Sequence, residues 1–245
     1  MAKIGPYRFR ARRAGGAEDV RAAQMLRGRV FRGGAGVDAD PFDEICQHVL
    51  IEESATGTPV ACFRVQIYRR GADIGRGYAA QFYDLGGLAA YGRPLAELGR
   101  FCVDPAWRAP DILRVAWSAL TGLIDRAHVG MLFGCTSFVG TDPTPYGGAF
   151  AYLAAHHLGP VDLRPGVGAA RVVAFPNGGP GGPRPAMGAL PPLLRSYLGM
   201  GGWVGDHAVI DEDLGTIHVF TALEIDAIPP ARARALRSLA ALART

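Results

Sequence analysis

The feature that most constrains the fold is the order in which the apolar period changes along the chain. Tyr7 to Arg13 alternates Tyr, Phe and Ala with Arg, a period of two that suits a half-buried strand. Glu18 to Phe31 then places Val20, Ala23, Leu26, Arg27 and Val30 at helical spacing, with Glu18 and Asp19 in the first turn, where the helix dipole favours acids. His48 to Glu53 and Pro59 to Arg69 read as a hairpin around Thr56-Gly57-Thr58. Leu95 to Val103 (LAELGRFCV) is a long strand, followed by a helix from about Pro110 to Arg126. Gly130 to Phe138 is an apolar run of strand length, and Thr144 to His157 is helix-like. A short strand at Val172–Ala174, a helical turn at Leu193–Leu198 and strands at Trp203–Ile210 and Thr216–Leu223 follow. The last, basic helix spans about 229–244 and opens on Pro229-Pro230, residues suited to a first turn. This order is not a regular βαβ alternation. It implies an α/β (α+β) fold with a mixed central sheet flanked by helices, in one domain spanning 1–245.

Composition narrows the class. With 49% hydrophobic residues and a net charge of +4, the chain is too apolar and too weakly charged to be disordered. Gly and Pro are abundant but follow no Gly-X-Y period, which excludes collagen. They concentrate at 176–192, where 11 of 17 residues are Gly or Pro, as expected of a long surface loop. No uncharged apolar run reaches the roughly 18 residues a transmembrane helix needs. No signal-peptide pattern is visible, so the expected location is cytoplasmic. Cys46, Cys62, Cys102 and Cys135 lie far apart without a C-x-x-C pair, and read as reduced thiols with no metal site. Positive charge gathers at the ends: Lys3, Arg8, Arg10, Arg12 and Arg13, then Arg232, Arg234, Arg237 and Arg244. Such ends suit an acidic carrier protein or peripheral contact with an anionic inner-membrane surface. Nucleic acid is excluded as a partner, because no aromatic-basic interleaving accompanies the charge.

Chemistry has few places to sit. The strand Leu95–Val103 carries Glu97 and Arg100 among apolar neighbours, an arrangement that is costly unless the charges are paired or used. Three apart, they face opposite ways in a regular strand, whereas a bulge near Gly99 would bring them closer and free backbone N–H groups for a ligand. An internal salt bridge is the plain alternative. The loop Asp104 to Asp111 runs into a helix N-terminus, where Arg108 adds charge for a phosphate. An acidic segment with Asp40 and Asp43, the strand residue Arg64, and Arg27 and Phe31 of the first helix complete a constellation. His48, His156 and His157 have no triad or metal spacing, and no G-x-S-x-G, P-loop or dinucleotide fingerprint occurs.

Together these stretches resemble a known family. LRGRVF (Leu26–Phe31), the D-x-D-x-x-D of Asp38–Asp43 with His48, AAQFYDL (Ala79–Leu85) and ELGRFCVDPAWR (Glu97–Arg108) are similar to the L-ornithine N(alpha)-acyltransferases of ornithine-lipid synthesis. So are LFGCTSFVGTDP (Leu132–Pro143) and LPPLLRSYLGMGGWVGDHAVID (Leu190–Asp211), and the matches cover about residues 24 to 220. The resemblance implies a GNAT-like fold, related to that of acyl-homoserine-lactone synthases. It also implies transfer of a 3-hydroxyacyl chain from acyl carrier protein to the α-amino group of ornithine, giving lyso-ornithine lipid. The donor is the phosphopantetheine thioester of the carrier, with no permanently bound cofactor. A thioester is activated enough that no covalent enzyme intermediate is needed, and the site must supply geometry, a deprotonated amine and oxyanion stabilisation. On this reading Glu97 is the general base, acting through water, and Arg100 anchors Glu97 or the acceptor carboxylate. Asp40 and Asp43 hold the acceptor's side-chain ammonium, with Arg64 orienting them and Arg27 and Phe31 completing the acceptor site. Phe101, Val103, Arg108, Ser137 and Phe138 flank the phosphopantetheine arm, and Tyr146 or Tyr152 protonates the leaving thiolate. The chain departs from the family at Leu214–Val219, where the lipid enzymes tend to read F-N-T-x-D-V. An acyl-homoserine-lactone synthase is disfavoured because the Trp expected between Phe31 and Asp38 is absent. Another amino-acid N-acyltransferase is an alternative of the same class, and a non-catalytic membrane- or carrier-binding protein is one of a different class.

Overall fold

A computed structural model describes residues 8–34, 36–107, 109–176 and 189–242. The Gly/Pro-rich stretch expected as a loop falls mostly outside the described residues, as do Lys3, Arg108 and Arg244. In chain order the elements are β1 (Phe9–Arg13), α1 (Ala17–Phe31), β2 (Gln47–Glu53), β3 (Pro59–Tyr68), β4 (Tyr83–Asp84) and α2 (Gly86–Ala89). Then come β5 (Leu95–Val103), α3 (Pro110–Arg126), β6 (Met131–Val139), α4 (Gly147–His156), β7 (Gly166–Val167) and β8 (Val172–Ala174). The last are α5 (Pro192–Gly199), β9 (Trp203–Asp211), β10 (Thr216–Glu224) and α6 (Pro230–Leu242). The long elements fall where the apolar period placed them.

The chain, read from sequence as one domain, divides into two compact units. One comprises Met1–Ile67, Leu98–His128 and Pro230–Thr245, and the other Tyr68–Glu97 and Val129–Pro229, so the division passes through β5. In the first unit the strands run in the order β1-β2-β3-β5, with β1–β2 and β2–β3 antiparallel. Ala23 and Leu26 of α1 bury against Leu50, Cys62 and Cys102. The Cys62 and Cys102 thiols are free and 3.5 Å apart, as expected of reduced core cysteines. Helix α3 packs on β1 and β2, and α6 packs on α3, where Arg237 pairs with Asp125 at 2.9 Å.

In the second unit the order is β6-β10-β9-β8, all antiparallel. β10 is buried along both faces, as a central strand must be. Its Phe220 and Ala222 join Tyr68, Tyr83, Leu95, Phe133 and Trp203 in one cluster, whereas Ile217 and Val219 join Phe138, Phe150, Leu153 and Leu194 in another. The first cluster is covered by short pieces that no periodicity announced: the 3-10 turns Gly71–Arg76 and Ala79–Gln81, and the pair β4–β7.

One close approach sets the path of the acidic segment. The Gly34 N–H donates to the Gly28 carbonyl (3.2 Å) and the Asp38 N–H to that of Gln24 (3.1 Å), which brings Gly34 and Asp38 against α1. A Cβ at Gly28 would stand 2.2 Å from the Gly36 carbonyl oxygen, so only glycine fits. Gly28→Ala is therefore expected to destabilise the protein by about 2 kcal/mol, although alanine is the better helix former by about 1 kcal/mol. Urea unfolding of the two proteins measures the difference.

Candidate active site

The acidic segment folds on itself before it meets anything else. Asp40 caps a 3-10 turn (Pro41–Glu44): its carboxylate accepts the Phe42 N–H at 3.0 Å, while Asp43 reaches back to the Asp40 N–H. Pro41 in the first position needs no hydrogen-bond acceptor. The turn thereby presents Asp40 and Asp43 together.

Arginines from three elements converge on them. Arg27 of α1, 1% exposed, places both terminal nitrogens 2.7 Å from the two Asp43 oxygens and ion-pairs with Asp38 at 3.0 Å. Arg64 of β3 forks onto Asp40 (2.5 and 2.8 Å) and also reaches Asp43 (2.6 Å). Arg100 of β5 donates to Asp38 (2.8 Å) and pairs with Asp40 (2.9 Å), and Arg32 pairs with Asp38 at 3.1 Å. The His48 Nε2 lies 3.0 Å from the Asp43 carbonyl and donates to it. Four guanidinium groups thus meet three carboxylates. Burial pushes the Asp43 carboxyl up, but hydrogen bonds from Arg27, Gln24 and Arg64 more than offset this and hold it far below the usual carboxylate range. Asp40 is likewise lowered: burial opposes ionisation, and the hydrogen bond and charge of Arg64 with the charge of Arg100 prevail. Burial lowers His48 and keeps it neutral.

The backbone of β5 records this pull. Arg100 has φ +50, a left-handed conformation uncommon outside glycine, so the strand is irregular where a bulge was expected. At Gly99 a Cβ would sit 3.4 Å from Arg64 Nε, at the limit of ordinary contact. The partners seen for Arg100 are the aspartates. Asp40 and Asp43, expected to hold an acceptor ammonium, are engaged by the chain's own arginines.

Glu97 belongs to the second unit and is 5% exposed. Its carboxylate accepts the Tyr68 hydroxyl (2.7 Å) and the backbone N–H groups of Tyr78 (3.2 Å) and Ala79 (2.6 Å). Gly77 makes room for this arrangement, since a Cβ there would meet Glu97 Oε2 and the Tyr68 hydroxyl at 2.2 Å. Ser137 is exposed and Phe138 buried against Tyr146 and Phe150. The Tyr146 hydroxyl donates to the Val139 carbonyl (2.6 Å), and that of Tyr152 lies 3.3 Å from His157 Nε2. In the first unit Phe101 stacks on Phe63 (5.8 Å), Val103 is half-buried and Phe31 packs beside Leu26. Arg108 lies outside the described residues. Among the described residues no cluster of His, Cys, Asp and Glu could hold a metal.

Sequence reasoning missed Asp38, which ion-pairs three arginines, along with Arg32, Tyr68 and Gly77. The D-x-D-x-x-D spacing was the available signal for Asp38. Tyr68 and Gly77 had none.

The network makes stability depend on acid. Because Asp40 and Asp43 are lowered on folding, their contribution is complete above the ordinary carboxylate value near 3.8 and is lost as pH falls below it. His48, lowered from 6.5, acts in the same direction from that value downward. Denaturant unfolding from pH 7 to 2.5 should show stability falling throughout, most steeply below pH 4. In Asp43→Asn the protein should be weaker at pH 7, by about 3–5 kcal/mol, and flatter below pH 4.

Comparison with known proteins agrees with this architecture. A model of the acetyltransferase (GNAT) domain matches residues 26–118. The L-ornithine N(alpha)-acyltransferase of Rhodobacter capsulatus is 36% identical over 91% of this chain and 92% of its own length. The enzyme of the same name from Brucella abortus is 31% identical over 85% of this chain and 82% of its own. That from Rhizobium meliloti is 30% identical, covering 89% and 80% respectively. With identity of this level running through nearly the whole chain, the protein is an N-acyltransferase enzyme of the GNAT fold and belongs to the L-ornithine N(alpha)-acyltransferase family.

Proposed function

We propose that this enzyme transfers a 3-hydroxyacyl chain from the phosphopantetheine thioester of acyl carrier protein to the α-amino group of ornithine, giving lyso-ornithine lipid and the free carrier thiol. The observation that carries the reading is the 36% identity to an L-ornithine N(alpha)-acyltransferase over 91% of the chain.

In this reaction the acceptor's ammonium releases one proton to solvent, the amine nitrogen attacks the thioester carbonyl, and the tetrahedral intermediate loses the second N–H proton as it collapses to amide and thiolate, which is protonated to the free thiol. Glu97 takes that second proton through a water. Tyr68 and the N–H groups of Tyr78 and Ala79 fix that carboxylate in a single orientation, which a base acting through water requires. Exposed Ser137 of β6 flanks the arm, whereas Phe138 projects to the opposite face and packs against Tyr146. Exposed Arg10 and Arg13 of β1, with Arg232 and Arg234 of α6, suit an acidic carrier protein. No helix among the described residues is long and apolar enough to cross a membrane, and contact with an anionic bilayer would be peripheral.

The test is incubation of purified protein with 3-hydroxyacyl carrier protein and a panel of amino acids, followed by mass spectrometry of the lipid extract. Ornithine should give the N-acylated product, and Glu97→Gln should lower turnover by about 10²–10⁴-fold. Product with another amine alone would overturn the acceptor. A protein that bound the carrier but acylated nothing would overturn the reaction.

A further inference from the structure

His218, in the middle of β10, is 1% exposed and takes no part in the chemistry above. Its tautomer follows from its neighbour. The Tyr83 hydroxyl stands 3.1 Å from both the His218 carbonyl oxygen and His218 Nδ1. The one phenolic proton goes to the carbonyl, which is only an acceptor, so the second contact is made by an Nδ1–H donating to the phenolic oxygen. Nε2 is then a bare lone pair. Burial lowers the imidazole to about 4, so it stays neutral near pH 7.

That lone pair is buried and has no hydrogen-bond partner among the described residues. A desolvated acceptor of this kind is costly unless something donates to it. Its ring neighbours are Phe82, edge-on at 4.9 Å between centroids, and Tyr83 at 5.6 Å, with Phe220 two residues along the strand on the same face, and Asp211 and His207 also act on it electrostatically. A bare nitrogen lone pair among these rings is matched by an O–H donor on an otherwise apolar chain.

The sheet register gives the way in. His218 is paired directly with Ser137 of β6, and antiparallel partners project to the same face with Cβ atoms about 5 Å apart. Along that face of β6 burial decreases from Phe133 (fully buried) through Cys135 (half-buried) to Ser137 (exposed). The His218 side chain is therefore the first buried polar group behind an exposed one.

We propose that His218 Nε2 accepts a hydrogen bond from the 3-hydroxyl of the acyl donor, and so selects hydroxylated over plain acyl chains. This rests on the donor reading above, in which Ser137 flanks the phosphopantetheine arm. A hydroxyl two carbons beyond the thioester carbonyl is the O–H group that a chain entering past Ser137 brings to these rings. Tyr83 is the positioning residue, since it fixes which nitrogen carries the proton.

The experiment uses the full chain and two carrier-protein donors of equal chain length, one 3-hydroxylated and one unsubstituted, with dissociation constants measured in the absence of acceptor. Wild type should bind the hydroxylated donor about tenfold more tightly, the worth of one buried hydrogen bond. His218→Leu should bring the two constants within about twofold by weakening only the hydroxylated donor. Tyr83→Phe, which leaves the imidazole in place but removes the acceptor of its Nδ1 proton, should narrow the preference to about threefold. Equal affinities in wild type overturn the proposal, as does a preference that survives in both variants or a His218→Leu loss equal for both donors. If neither donor binds wild type, the proposal and the donor reading both fall. Discrimination between donors without any product from ornithine supports the role of His218 and overturns the acceptor reading alone.

Discussion

Two buried aspartates and a half-buried third, matched by four arginines, determine what the second half of β5 can do. Each carboxylate meets at least two guanidinium groups, and Asp38 meets three, from α1, from the residue that follows it and from β5. Removing any one partner strands a charge in low dielectric, so the members hold each other in place more firmly than pairwise contacts would. A left-handed Arg100 costs on the order of 1–3 kcal/mol in backbone strain. From that conformation the guanidinium reaches two carboxylates, those of Asp38 and Asp40. The network is thus the reason β5 does not continue as a regular strand after Gly99, and the aspartates serve the arginines before they can serve a substrate.

A different logic governs the second unit. Glu97 is buried, and its carboxylate accepts a tyrosine hydroxyl and two backbone N–H groups, donors that fix its orientation. The turn at Gly77–Ala79 exists in this position because residue 77 has no side chain.

The long elements were legible because apolar period and flanking prolines are local signals. LAELGRFCV and the helix from Pro110 to Arg126 have the ends the sequence suggested. The acidic segment was legible as chemistry but not as structure: Asp40-Pro41-Phe42-Asp43 is a capping box on a turn too short to show a period. Asp38 stood in the sequence only as the first acid of the D-x-D-x-x-D motif, and its burial goes with Gly36 lying on Gly28, a contact between backbones that leaves no trace in residue type. The covering pieces between Tyr68 and Leu95 were invisible for the same reason. They are held by Glu97, Leu88 and Tyr83 reaching partners far along the chain rather than by any repeat of their own. Which partner each charged residue takes is a tertiary fact: the sequence suggested Arg64 beside Asp40 and Asp43, and the forked contacts of Arg27 and Arg64 on them come only with the fold.

The stretch Leu214–Val219, noticed in the sequence only as a departure from the family pattern, contains the residue with the most unusual surroundings. Its position is not adjustable by loop movement. β10 is flanked by β6 and β9, and its two faces bury different sets, Phe220 and Ala222 on one and Ile217 and Val219 on the other. A slip of one residue would exchange those sets and expose both clusters to the wrong partners, so the register is pinned by the core. His218 inherits that precision, and its partner Tyr83 is fixed by the same cluster. A change in what this face recognises would then come through substitution on the inward positions of β10 and their partners on β6, with the backbone left where the core puts it.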